Sequence, residues 1–237
     1  MLSFATVLEE YQNFIDAVSP LRMSRYVKAY DGDIKKAVLL YKANIRLAQK
    51  VFSIISILEI ILRNAIDVRY KKHFGSDDWI CQSIEEGGFL TKPESEKQKE
   101  GILEVIEKLE KIKEDNPNFS YSHNNIVTEL TLGFWVRLFA PLQFQSGGNV
   151  LLEILPNRPL KVNQDKVYSH LAQINRIRNR IAHHEPICFK KDQISTKSAE
   201  EKYQFILDLL SWLGYDPTTL LRDVDQVQSE IDYINKL

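Results

Sequence analysis

Forty consecutive residues, 34–73, contain neither glycine nor proline. Apolar positions recur through them at the three-to-four-residue spacing of an α-helix. The stretch predicts one long helix, or two nearly collinear ones, on the order of 60 Å if straight. A chain with so much of its length in one rod must pack its other elements around that rod. The middle of the stretch, residues 54–62, is apolar almost all round, as in a helix buried on most sides. Glu59 and Arg63 lie four apart inside it and can pair.

The remaining segments carry the same periodicity. Phe4, Val7, Leu8, Tyr11, Phe14, Ile15 and Val18 mark a first amphipathic helix. Ser19-Pro20 reads as a cap followed by proline at the first helical position, with a short helix to about Tyr30. Residues 75–92 read as an irregular connection anchored by Trp79-Ile80, and a charged helix follows from Thr91-Lys92-Pro93-Glu94 with the stripe Ile102, Val105, Ile106, Leu109 and Ile112. Another helix is expected from about Asn125 to Phe139, then a loop at Gln145-Ser146-Gly147-Gly148-Asn149. A basic helix begins near Asn163 with the stripe Val167, Leu171, Ile174, Ile177 and Ile181. It ends near His184, because Glu185 precedes Pro186 and is pushed out of the helical region. Two more helices follow, the first opened by Ser198-Ala199-Glu200-Glu201 as a capping box, with Gly214-Tyr215-Asp216-Pro217 between them. No alternating run is long enough for a sheet, so the expected fold is an all-α bundle with one long helix in its N-terminal half and extra helices at its C-terminus. The expectation for domains is one, residues 1–237.

Composition narrows the function classes. The net charge of −1 and two cysteines without a CxxC pair fit a reduced, cytoplasmic protein. The N-terminus lacks the basic region of a signal peptide, and the most apolar run is too short to span a bilayer, so no membrane association is expected. P-loop, GxGxxG and GxSxG motifs are absent. Charge is uneven, however. From Asn157 to Arg180, Arg158, Lys161, Lys166, Arg176, Arg178 and Arg180 stand against Asp165 alone. A basic stripe on an otherwise acidic body can steer a polyanion, and a solvated helix face reads the same way.

The chemistry concentrates at Ile174-Asn175-Arg176-Ile177-Arg178-Asn179-Arg180-Ile181-Ala182-His183-His184-Glu185-Pro186-Ile187. Asn179 and His183 are four apart and share a helix face. Arg178 falls near the line of Leu171, Ile174 and Ile181. A charge on a packing stripe needs a carboxylate such as Glu59, a subunit interface or a ligand phosphate. His183 is the general acid–base candidate, while His184 points about 100° away. A histidine at a helix C-terminus can also serve only as a dipole partner. Adjacent His183-His184-Glu185 do not have the spacing of a helical zinc site, so no metal or other cofactor is expected. Arginines that hold phosphate beside a histidine that moves protons are the parts needed to cut RNA without a metal.

Arg178-Asn179-Arg180-Ile181-Ala182-His183 resembles the R-x4-6-H signature of the HEPN superfamily. Two further blocks, Leu58-Glu59-Ile60-Ile61-Leu62-Arg63-Asn64-Ala65-Ile66 and Glu129-Leu130-Thr131-Leu132-Gly133-Phe134-Trp135-Val136-Arg137-Leu138-Phe139, stand in the order seen in Abi-like proteins of the AbiD/AbiF abortive-infection type. The resemblance covers roughly residues 20–189, with residues 195–237 as a C-terminal extension. Tyr41-Lys42-Ala43-Asn44 lacks the tryptophan expected before its asparagine, and residues 147–160 are only loosely similar.

The resemblance implies a HEPN-type bundle that dimerises and brings two R-x4-H motifs to one cleft. It also implies metal-independent RNA cleavage, a toxin role in phage defence, and restraint by a small-RNA or protein antitoxin. The implied roles are Arg178 as phosphate clamp, His183 as acid–base, and Asn179 as the orienter of His183 or the phosphate. His184, Glu59, Arg63 and Asn64 are supporting residues. Arg158, Lys161, Lys166, Arg176 and Arg180 are RNA-binding candidates, and Phe134 and Trp135 are expected in the core. Two other readings stand beside the nuclease: a non-catalytic RNA-binding HEPN module held as a regulatory ribonucleoprotein, and a purely structural interaction protein.

Overall fold

The computed structural model describes residues 4–237, with side chains from residue 9 onward. Its elements are α1 Phe4–Val18, α2 Pro20–Lys28, α3 Ile34–Phe74, α4 Trp79–Ile84, α5 Glu96–Asp115, α6 His123–Glu129, α7 Leu132–Arg137, α8 Pro141–Ser146 and α9 Gln164–Ala182. A two-stranded antiparallel ribbon follows, β1 Phe189–Lys190 with β2 Gln193–Ile194, and then α10 Lys197–Trp212, α11 Pro217–Leu220 and α12 Val227–Ile234. The all-α expectation holds, since the ribbon's strands are two residues each. No helix among the described residues is long and apolar enough to cross a membrane.

The long helix is unbroken, as its lack of breakers requires. Contacts divide the chain into two compact units, each assembled from discontinuous segments. The first holds residues 1–55, 176–204 and 221–237. Of the predicted α1 stripe, Phe4, Val7 and Leu8 lie outside the described side chains, and Ile15 is buried. Met23, Tyr26, Leu40, Leu47, Val51 and Ile54 form much of the first unit's core. Tyr26 meets Tyr41 and Phe189 edge-on with ring centroids 5.2 Å apart in each case.

The second unit holds residues 56–175 and 205–220. Leu58, Leu62, Ile66, Tyr70, Trp79 and Trp135 are buried there. The buried Asp67 carboxylate accepts from the Trp79 indole at 2.8 Å and pairs with Lys71 at 2.9 Å and with His123 Nε2 at 2.6 Å. Gly147 and Gly148 fold closely onto α3. A methyl group at Gly147 would fall 2.4 Å from the Tyr70 hydroxyl, so the expected loop is a tight packing element.

Several expectations need correction. Ser19 has φ of 92° and makes no side-chain cap; backbone bonds bridge it. The expected helix 125–139 is two helices. Leu130 and Thr131 are extended, and the Trp135 indole donates to the Leu130 carbonyl at 3.3 Å, satisfying it outside a helix. On α5 only Ile102 and Leu109 of the predicted stripe are buried, and Ile112 is 39% exposed. Ser198 lies inside α10, which starts at Lys197, so the capping-box assignment is two residues late. Residues 75–92 contain the short helix α4, on which Trp79 and Ile80 are the buried anchors expected.

Candidate functional site

The R-x4-H residues, Arg178 to His183, occupy the last turns of α9 and the residue after it, all in the first unit. Val167, Leu171, Ile174 and Ile177 are buried, which fixes the rotation of α9. Arg176 and Asn179 are thereby turned to solvent, and Arg178 is half-buried at the margin of the stripe. Arg178 Nε is buried with no hydrogen-bond partner among the described residues. A buried donor without an acceptor is uncommon and calls for an explanation.

The end of α9 is closed by the backbone. The His183 N–H donates to the Asn179 carbonyl at 2.9 Å, His184 to Ile181 at 2.9 Å and Glu185 to Arg180 at 2.8 Å. The last two bonds form the left-handed C-terminal cap, with His184 at its left-handed position at φ 55°. Glycine is the usual occupant, because a side chain there strains against its own carbonyl. His183 is the last residue before that reversal and is exposed. Asn179 and His183, one turn apart, share a helix face, as their spacing predicts, and both are exposed.

The segment after the motif is held from three sides. The buried Asn44 side chain accepts through Oδ1 from the Ile187 N–H at 2.9 Å and the Cys188 N–H at 3.2 Å. Arg22 Nη1 donates to the His184 carbonyl at 3.2 Å. Arg25 donates to the Lys191 carbonyl and lies 4.8 Å over the Phe189 ring. Arg180 bonds the Pro186 carbonyl and meets Glu185 at 3.2 Å. Arg180 therefore latches the helix end onto the next segment. Arg158 likewise turns inward, donating to the Pro159 and Val162 carbonyls. Lys161, Lys166 and Arg176 are exposed and make no ion pair among the described residues.

Glu59, Arg63 and Asn64 belong to the second unit. Glu59 and Arg63 are half-buried and Asn64 is exposed. Arg63 directs Nη1 toward the Thr128 carbonyl at 3.5 Å. Phe134 and Trp135 are buried, as expected of core residues.

A groove of about 660 Å³ adjoins the helix end. His184, Glu185 and Ile181 line it together with Arg22, Ile45 and Phe52. Ile45 and Phe52 are 40% and 38% exposed and lie two turns apart on α3. Among the described residues no cluster of three histidine, cysteine or carboxylate side chains could hold a metal ion. Burial pushes the Cys188 thiol up to about 12, which suits a core side chain and not a nucleophile.

Sequence reasoning missed Asn44 and Arg22 as supports. Their partners are backbone groups far along the chain, so only the Asn44 noted within the Tyr41–Asn44 segment hinted at a role. A family model of the Abi-like proteins matches residues 7–188. The chain belongs to the Abi-like protein family. The family suggests a part in abortive infection, a defence against phage. All three blocks of the sequence resemblance, and every candidate site residue, fall within the matched range. No curated protein and no solved structure matches the chain.

Proposed function

We propose that this Abi-like protein is a metal-independent endoribonuclease of the HEPN type, acting as a defence toxin from a composite site in a homodimer. The observation that carries the reading is the end of α9, where a half-buried Arg178 with a donor unmet among the described residues directly precedes Asn179, which lies one helical turn before His183, both of them exposed. RNA supplies its own nucleophile. The 2′-oxygen attacks the adjacent phosphorus and gives its proton to a neutral histidine. The P–O5′ bond breaks as the leaving oxygen takes a proton from a histidinium, which leaves a 2′,3′-cyclic phosphate. Arg178 stabilises the charge gathering on the phosphorane oxygens, and Asn179 orients His183 or the phosphate. One His183 cannot easily serve both transfers at once, whereas a twofold dimer brings two. The exposed Ile45 and Phe52 beside the helix end support a second copy there.

The test is incubation of purified protein with total cellular RNA in excess EDTA. Wild type should cleave, while His183→Ala and Arg178→Ala should not. Mixing the two variants should recover part of the activity if each dimer site draws residues from both chains. No cleavage by wild type, with RNA retained by every variant, would favour a non-catalytic RNA-binding module instead. Lys161, Lys166 and Arg176, exposed and without an ion pair among the described residues, give that second reading its support.

A further inference from the structure

The His184 carbonyl leaves the reversal that ends α9, and no backbone N–H reaches it among the described residues. Arg22 meets it instead, donating through Nη1 at 3.2 Å from 162 residues earlier in the chain. We infer, resting on the nuclease reading, that Arg22 is a positioning residue for the proposed cleavage, one that fixes the turn carrying His183. Helix α2 thereby joins the site, although no part of the R-x4-H motif lies on it.

Three observations combine here. First, local preference does not hold the turn. His184 sits at φ 55°, a conformation that costs a residue with a side chain. Such a turn persists where its surroundings over-determine it. The His184 and Glu185 N–H groups secure the near side on α9, and Arg22 secures the carbonyl that leads away. Arg25, one turn further along α2, donates to the Lys191 carbonyl. Helix α2 therefore braces residues 184–191 at both ends.

Second, the brace is itself fixed. Met23 and Tyr26 are buried in the first unit's core, and Pro20 stands at the start of the helix. Arg22 directly precedes Met23, so its backbone is held in place. Third, Arg22 makes no ion pair among the described residues. Glu185 lines the same groove, but its carboxylate meets Arg180 at 3.2 Å. A guanidinium also suits a helix C-terminus, where aligned carbonyls gather partial negative charge.

This role separates from folding by magnitude. Arg22 is exposed, so water can take its place on the carbonyl and the fold loses little. Catalysis is less tolerant, since a displacement of about 1 Å at a reacting group can cost about 100-fold in rate.

The experiment compares wild type, Arg22→Ala, Arg22→Lys and Lys28→Ala on a synthetic RNA that carries one cleavage position of the wild type, in excess EDTA. Lys28 lies on the same helix, and its loss removes the same charge; its contact is Asp192 at 3.8 Å. Arg22→Ala should lower kcat about 10- to 100-fold with KM within about threefold of wild type. Its thermal midpoint should fall by less than about 4 °C. Arg22→Lys keeps a charged donor and should exceed Arg22→Ala in kcat by about threefold or more. Free guanidinium ion, below denaturing concentration, should speed Arg22→Ala and not wild type. Lys28→Ala should match wild type within about twofold. The proposal is overturned if Arg22→Ala keeps the wild-type kcat, or if its loss lies in KM alone. It is equally overturned if Lys28→Ala loses as much, which would mark general attraction of RNA, or if a midpoint fall beyond about 4 °C comes without rescue by Arg22→Lys, which would mark a purely structural contact. No cleavage by wild type overturns the nuclease reading and this role with it, whereas the other adverse results, with wild type active, overturn this role alone.

Discussion

Replacing Asn44 with alanine should loosen the end of the motif from 143 residues away in sequence. Asn44 is 5% exposed, and its Oδ1 is the acceptor for two backbone N–H groups, those of Ile187 and Cys188. Both residues are themselves buried, so water cannot readily replace the lost acceptor. A buried donor stripped of its partner costs about 1–3 kcal/mol, so two such donors amount to roughly 2–6 kcal/mol. For a chain of this size each kcal/mol moves the thermal midpoint by about 2–4 °C, which predicts a fall of roughly 4–24 °C. Asn44→Asp keeps an acceptor for both N–H groups and should lose much less at neutral pH. Thermal unfolding followed by circular dichroism measures the shift, and hydrogen exchange at the Ile187 and Cys188 amides localises it. A fall of less than about 2 °C, or exchange at those two amides unchanged, would refute the assignment of Asn44 as the anchor.

Three further outcomes follow from the same geometry. His184→Gly should raise stability by about 0.5–1 kcal/mol in urea unfolding, because glycine accepts φ of 55° without strain, and it should leave RNA cleavage intact if His184 serves by backbone alone. Asp67 is held at about 2: burial raises its pKa, and the hydrogen bonds from His123, Lys71 and Trp79 more than offset it. Its folded value lies below its unfolded one, so its contribution of about 2 kcal/mol is present above pH ~4 and is lost as pH falls toward 2; Asp67→Asn should flatten that acid limb in stability measured against pH. Replacing Lys161, Lys166 and Arg176 together with alanine should weaken RNA binding across sequences and reduce the salt dependence of log K by about 2 or more, read by filter binding at several salt concentrations.

The parts of the fold set by local chemistry were legible. Residues 34–73 lack breakers and run as one helix, and Glu185 before Pro186 marked where α9 stops. The break at Leu130-Thr131 was not legible, because neither residue is a helix breaker and the stop depends on the Trp135 indole reaching the Leu130 carbonyl. The α5 stripe was overread: periodicity reports which side is apolar, not how wide a strip the neighbouring elements cover, and Ile112 stays exposed.

At the site, the motif and the shared face of Asn179 and His183 followed from spacing. The left-handed His184 did not, since that position normally announces itself by glycine. Charge counting set Arg158 and Arg180 beside Lys161, Lys166 and Arg176 as equal phosphate ligands. Counting cannot tell a guanidinium turned to solvent from one bonded to its own chain's carbonyls, as Arg158 and Arg180 are.

The central claim is metal-free attack by the RNA's own 2′-oxygen, driven by His183 and Arg178. Sequencing of RNA ends after incubation with wild type and His183→Ala in excess EDTA tests it most directly. The account predicts new 2′,3′-cyclic phosphate ends at reproducible positions with wild type and none with the variant. New ends bearing 3′-hydroxyl groups, or cyclic ends that persist undiminished in His183→Ala, would contradict it.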